Sequence, residues 1–182
     1  MQVAHQAGKI LKRFGYSEHE IELAKIAGYM HDIGNAINRT HHAEYGALLA
    51  NELLKDTDMT LEDRITVVSA IGNHDESTGS PVDVISAALI IADKTDVRRS
   101  RVRQKERSAF DIHDRVNYAV TDSKLKVDEK KSEIALNLQI DEKICSMYDY
   151  FEIFLGRMML CRKSAEILGT TFKLTVNGRK VL

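Results

Sequence analysis

The stretch AGYMHDIGNAINRTHH, residues 27–42, closes an apolar helical pattern on His31 and Asp32, breaks at Gly34 and runs on to His41 and His42. Upstream, Ser17 and Glu20 have capping-box spacing and open that helix, which carries Ile21, Ala24, Ala27, Gly28 and Met30. Before it, Val3, Ala7, Ile10, Leu11 and Phe14 recur at helical spacing over residues 3–14, and Gly15 ends the first helix. Downstream, a third helix is expected over roughly Thr40–Lys55. A fourth is capped by Thr60-x-x-Asp63 and ends near Gly72-Asn73-His74. Ser80-Pro81-x-Asp83 predicts a fifth helix with proline at its first position, apolar through Val84–Ala92 and reaching Asp93.

After about residue 116 the period changes. Leu125 and Val127, then Ile134, Leu136, Leu138 and Ile140, alternate around a charged turn, the pattern of a β-hairpin. A long helix follows over roughly Glu142–Leu168, and FKLTVNGRKVL closes the chain with Asn177-Gly178, a strong hairpin turn signal. The expected fold is mainly α: a helical domain over 1–115, then a small α+β part over 116–182. The long helix is apolar around much of its circumference, so a homodimer interface is expected there.

Composition narrows the function. Of 182 residues, 43% are hydrophobic and 29% charged, an ordinary globular balance, and a formal net charge of −1 gives no strong nucleic-acid signal. No apolar run approaches the ~20 residues of a membrane span, and no signal-peptide pattern opens the chain. Cys145 and Cys161 lack CxxC spacing and read as reduced, buried thiols, so a cytoplasmic location is expected. Seven basic residues lie between Lys94 and Arg107 (Lys94, Arg98, Arg99, Arg101, Arg103, Lys105, Arg107), directly after Asp93.

Four successive helical segments thus begin or end on a potential ligand: His31-Asp32, His41-His42, His74 and Asp93. Helices that share one core bring such ends together, and imidazoles with carboxylates suit first-row transition metals. This order, with AGYMHDIGN, HAEYGA, IGNHDE and IIADKTD, resembles the HD superfamily of metal-dependent phosphohydrolases over about residues 3–110. Together with DIHDRVNYAV and the C-terminal helix, it is similar to a bacterial group of HD-domain predicted hydrolases.

The resemblance implies an HD-domain helical bundle and the metal ligands His31, Asp32, His42, His74 and Asp93, with Asp32 bridging two divalent ions. Iron or manganese are implied ahead of magnesium, nickel, cobalt or zinc. It implies hydrolysis of a phosphomonoester or nucleotide-like substrate by a metal-bound hydroxide. Asp32 and Lys94 then carry catalytic roles, and Lys94, Arg98 and Arg99 bind substrate phosphate. The family's first ligand, a histidine on the first helix, is expected two residues upstream of Met1. His5 shares the polar face with Lys9 and Lys12 and reads as a surface residue.

His41 reads as a bystander; Asp75 and Glu76, beside His74, read as solvated loop acids ahead of the alternative that they orient a water or a ligand. His113-Asp114 lacks an apolar helix before it and a glycine after it, and reads as a helix start. The sole proline, Pro81, is not in a GYP motif, and HDIGNAINR lacks the acidic pair of the alarmone hydrolases. Where the GYP-type phosphodiesterases usually carry lysine, this chain has Asn35. Two alternatives stay open: a degenerate HD domain that binds a nucleotide or partner without hydrolysis, and a di-iron oxygenase.

Overall fold

The computed structural model describes residues 1–99 and 112–182, the side chains of Ile112 and His113 excepted. Arg101, Arg103, Lys105, Arg107 and the His113 side chain therefore lie outside the described residues. Five helices come first: α1 (Gln2–Arg13), α2 (Glu18–Met30), α3 (His42–Leu54), α4 (Leu61–Gly72) and α5 (Val84–Lys94), with a 3-10 turn at Ile33–Ala36. Then come α6 (Ile112–Ala119), β1 (Val120–Asp128), β2 (Glu133–Ile140), α7 (Met147–Ile167), β3 (Thr171–Val176) and β4 (Arg179–Lys180). The chain is mainly helical with a small C-terminal sheet. No helix among the described residues is long and apolar enough to cross a membrane.

Local chemistry sets the boundaries. Ser17 and Glu20 form the capping box of α2, and the Thr60 hydroxyl accepts from the Asp63 amide at the start of α4. The expected proline start of α5 is corrected: Asp83 caps it, accepting from the Ser86 amide while Ser86 Oγ accepts from the Asp83 amide. Pro81 therefore precedes the helix rather than opening it. In the same way Ser146 and Asp149 form a capping box, so α7 begins at Met147, later than the expected Glu142.

Helix α5 is the axis of the fold. Every residue from Ile85 to Lys94 is buried, as expected of a helix apolar on all sides, and α1, α2, α4 and α7 pack around it. The C-terminal strands form one sheet in the order β1-β2-β3-β4. The β1–β2 hairpin and the Asn177-Gly178 turn follow the expected pattern, with positive φ at both turn residues (48° and 77°). The parallel pairing of β2 with β3, with α7 as the crossover, joins the two hairpins into that sheet.

Alternate residues Ile134, Leu136, Leu138 and Ile140 of β2 point inward, and one apolar core runs from Val3 through α5 and α7 to Val176. Cys145 and Cys161 are free and buried, and burial pushes both thiols up.

Candidate metal centre

The five expected ligands come from four helix ends that meet beside α5. His31 is the C-cap of α2, Asp32 leads into the 3-10 turn, and His42 is the first residue of α3. His74 stands two residues beyond α4, and Asp93 is in the last turn of α5. Gly34 makes the approach of the first two elements possible: a Cβ there would lie 2.0 Å from the His42 carbonyl oxygen and 2.5 Å from the Gly46 amide nitrogen. The glycine after the His-Asp pair thus seats the 3-10 turn directly on α3, besides ending α2.

Each imidazole is held the same way. Nδ1 of His31 donates to the Gly28 carbonyl (2.9 Å), Nδ1 of His42 to Arg39 (3.1 Å) and Nδ1 of His74 to Ile71 (2.6 Å), each three residues upstream. A carbonyl only accepts, so Nδ1 carries the proton and Nε2 of each neutral ring presents a lone pair. This is the arrangement in which a metal-ligating histidine is oriented by its other nitrogen.

The three Nε2 atoms converge. His42 Nε2 and His74 Nε2 stand 3.2 Å apart, two lone pairs facing one another. His31 Nε2 is buried without a hydrogen-bond partner among the described residues, 3.4 Å from Asp32 Oδ2 and 3.5 Å from Asp93 Oδ1. Two donors that share an ion at about 2.1 Å lie about 3.0–3.5 Å apart, so these separations fit coordination better than hydrogen bonding.

Ligand atoms within 4.8 Å of one another fall into two groups: His31, His74 and Asp93, all buried, and Asp32, His42 and His74. Asp32 spans them, with Oδ2 towards His31 and Oδ1 3.8 Å from His42 Nε2. Asn35 Nδ2 donates to Asp32 Oδ1 at 2.8 Å, so Asn35 orients this carboxylate. The donor set could hold a divalent metal ion.

Residues 1–110 match the family model of the HD domain. The chain belongs to the HD-domain family. The match spans α1 to α5 and all five candidate ligands of this HD domain, while α7 and the sheet lie beyond it.

A cleft of about 260 Å³ opens onto the cluster and brings Asp32, His42, Asp93 and Lys94 together with Arg39 and Arg157. The HD domain's Lys94 is buried, with Nζ 2.9 Å from Asp93 Oδ2 and 2.6 Å from Glu76 Oε2. Glu76 Oε1 meets Arg157 Nε at 2.7 Å. The expectation that Asp75 and Glu76 are solvated acids is overturned. Glu76 is a half-buried bridge between two cations, and Asp75 Oδ2 lies 3.7 Å from His42 Nε2.

Arg98 and Arg99 are not brought to this cleft. They line a separate cavity of about 410 Å³ between α1, the end of α5 and β1. Arg98 Nε donates to Asp96, and Arg99 Nε donates to the Tyr118 carbonyl with its guanidinium 4.4 Å over the Tyr118 ring. His5 is exposed and belongs to neither ligand group, and His41 is exposed at the cleft rim, 3.6 Å from Glu44. Asp114 lies in the first turn of α6. Arg39 and Arg157 were missed in the sequence. Arg157 had one signal: a lone cation inside the apolar run FLGRMML.

The electrostatics are those of a charged network out of water. Burial alone would raise the Asp93 carboxyl, but Lys94 and His31 hold it well below the usual carboxylate range. Burial opposes the charge on Glu76 as well, and Lys94 and Arg157 bring its pKa down to about 2. Burial lowers His74 to about 4, which keeps it neutral at physiological pH. For His31 burial also favours the neutral ring, yet Asp93 and Asp32 outweigh it and the pKa is raised.

In the metal-free chain a proton therefore competes for His31 up to a higher pH than it would for an ordinary histidine. Above that raised pKa the ring is already neutral, and below it an ion must displace the proton. Mn²⁺ titrations should show weaker affinity at pH 6 than at pH 8, with proton release rising as pH falls. A flat profile would contradict this.

Proposed function

We propose that this chain is a metal-dependent phosphohydrolase acting on a phosphomonoester or nucleotide-like phosphate ester bound in the cleft. One observation carries the reading: three imidazole Nε2 atoms and two carboxylates converge, with His31 Nε2 buried, without a hydrogen-bond partner among the described residues, and 3.4–3.5 Å from Asp32 and Asp93. His31, Asp32, His42, His74 and Asp93 would hold two ions, iron or manganese best matching a mixed nitrogen and oxygen set. Divalent cations there would supply Lewis-acid activation of water and charge neutralisation at phosphorus.

The chain's own residues do the rest. Asn35 fixes Asp32, and Lys94 fixes Asp93 while its own charge is compensated by two carboxylates. Arg39 is the cleft cation without a carboxylate partner among the described residues, and it is suited to grip a substrate phosphate bidentately.

Charge separates this reading from a metal-free binding domain. The cleft is lined by five carboxylates against three cations, a net charge of −2 with the imidazoles neutral. Such a site repels a phosphate ester until cations enter, and two divalent ions would reverse its sign to +2. The test is hydrolysis of a generic phosphate monoester after chelation and reloading. Activity is expected with Mn²⁺ or Fe²⁺ and less than about 1% of it without, a loss of more than about 2.7 kcal/mol in transition-state stabilisation. Failure of the chain to hydrolyse any phosphate ester with both ions bound would contradict the hydrolase reading. A redox-active iron pair without phosphatase activity would favour oxygen chemistry.

A further inference from the structure

We infer that Arg157, on α7 and outside the residues matched to the HD domain, is a positioning residue for the metal centre. It acts through Glu76 and Lys94 on Asp93, and the inference rests on the metal-dependent reading above.

The four side chains alternate in charge, and each link is short: Arg157 to Glu76 at 2.7 Å, Glu76 to Lys94 at 2.6 Å, and Lys94 to Asp93 at 2.9 Å. None can be removed without consequence for the next. The Lys94 side chain is only 4% exposed, so its ammonium depends on its carboxylates rather than on water. Glu76 has both oxygens engaged, Oε1 by Arg157 and Oε2 by Lys94, which fixes the plane of its carboxylate.

Lys94 in turn holds Asp93 by Oδ2, and Oδ1 of the same carboxylate lies on the His31 side. At the far end Arg157 is fixed as well. Its guanidinium packs over the Phe154 ring at 4.8 Å, and its side chain is only 18% exposed. The helix beyond the matched segment thus completes the outer sphere of the centre.

Without Arg157, Glu76 keeps one cation partner and one free oxygen beside Asp75 and the His74 turn. Lys94 is then shared differently between Glu76 and Asp93, and the Asp93 carboxylate loses its orientation. Loss of such outer contacts typically weakens a metal site about 10–100-fold.

Mn²⁺ binding to the full chain, measured by calorimetry, tests this directly. Arg157→Met and Glu76→Gln are each expected to weaken binding about 10–100-fold. Arg157→Lys should recover much of that loss, because a cation is restored opposite Glu76. The double variant should lose little more than the worse single one, since both act along one chain of contacts. Wild-type affinity in Arg157→Met, or fully additive losses, would overturn the inference. So would a raised KM with unchanged Mn²⁺ affinity, which would mark Arg157 as a substrate contact through its place in the cleft. Thermal melts accompany each variant, and Glu76→Gln carries the same expectation should Arg157→Met fail to fold. A wild-type chain that binds no Mn²⁺ would overturn the metal-centre reading itself, an outcome distinct from a wild-type centre indifferent to Arg157.

Discussion

Asp32→Ala is expected to lower kcat/KM for a phosphate ester by at least about 10³-fold, roughly 4 kcal/mol of transition-state stabilisation. The carboxylate faces both ligand groups, with Oδ2 3.4 Å from His31 Nε2 and Oδ1 3.8 Å from His42 Nε2. Its side chain is 49% exposed and packs into no core, so Tm should stay within about 2 °C of wild type. A loss of activity without a loss of stability separates a role in the chemistry from a role in folding. Activity within tenfold of wild type would remove Asp32 from the centre.

Gly34→Ala should act through the fold instead. A Cβ at this position meets backbone atoms of α3 at 2.0 and 2.5 Å, and backbone cannot swing aside as a flexible side chain can. Relief requires the 3-10 turn and α3 to separate, at a cost of about 3 kcal/mol, or about 6–12 °C in Tm for a chain of this size. The separation moves Asp32 away from His42, so the second ligand group should weaken along with stability. A melt within 2 °C of wild type would show that the two elements have slack there.

These two residues also show what the sequence made legible. Helix order, caps and ligand positions are local properties. Ser17 with Glu20 and Thr60 with Asp63 announce two helix starts, and His31, His42, His74 and Asp93 stand at or near the ends of the helices they mark. Shared burial of the helices around α5 then suffices to bring them together. Competing local signals were harder to rank. Pro81 and the Asp83–Ser86 pair both announce a helix start within a few residues, and the reciprocal hydrogen bonds of the pair decided it.

Long-range partners leave no periodic trace. The alternation of β2 and β3 specifies strands but not their parallel pairing, which depends on where α7 returns the chain. Arg157 and Glu76 are 81 residues apart, and nothing near either names the other. Arg98 and Arg99 mislead for the converse reason. They follow Asp93 closely in sequence, but α5 ends at Lys94 and they border the cavity beside α1 and β1 rather than the cleft.

Metal content is the most direct test of the proposed two-ion centre. Wild-type and Asp32→Ala chains, saturated with Mn²⁺ or Fe²⁺ without oxygen and then desalted, would be compared by elemental mass spectrometry. The arrangement of His31, Asp32, His42, His74 and Asp93 predicts two ions per wild-type chain and at most one in the variant. A wild-type chain that retains no ion, or a variant that retains two, would contradict it.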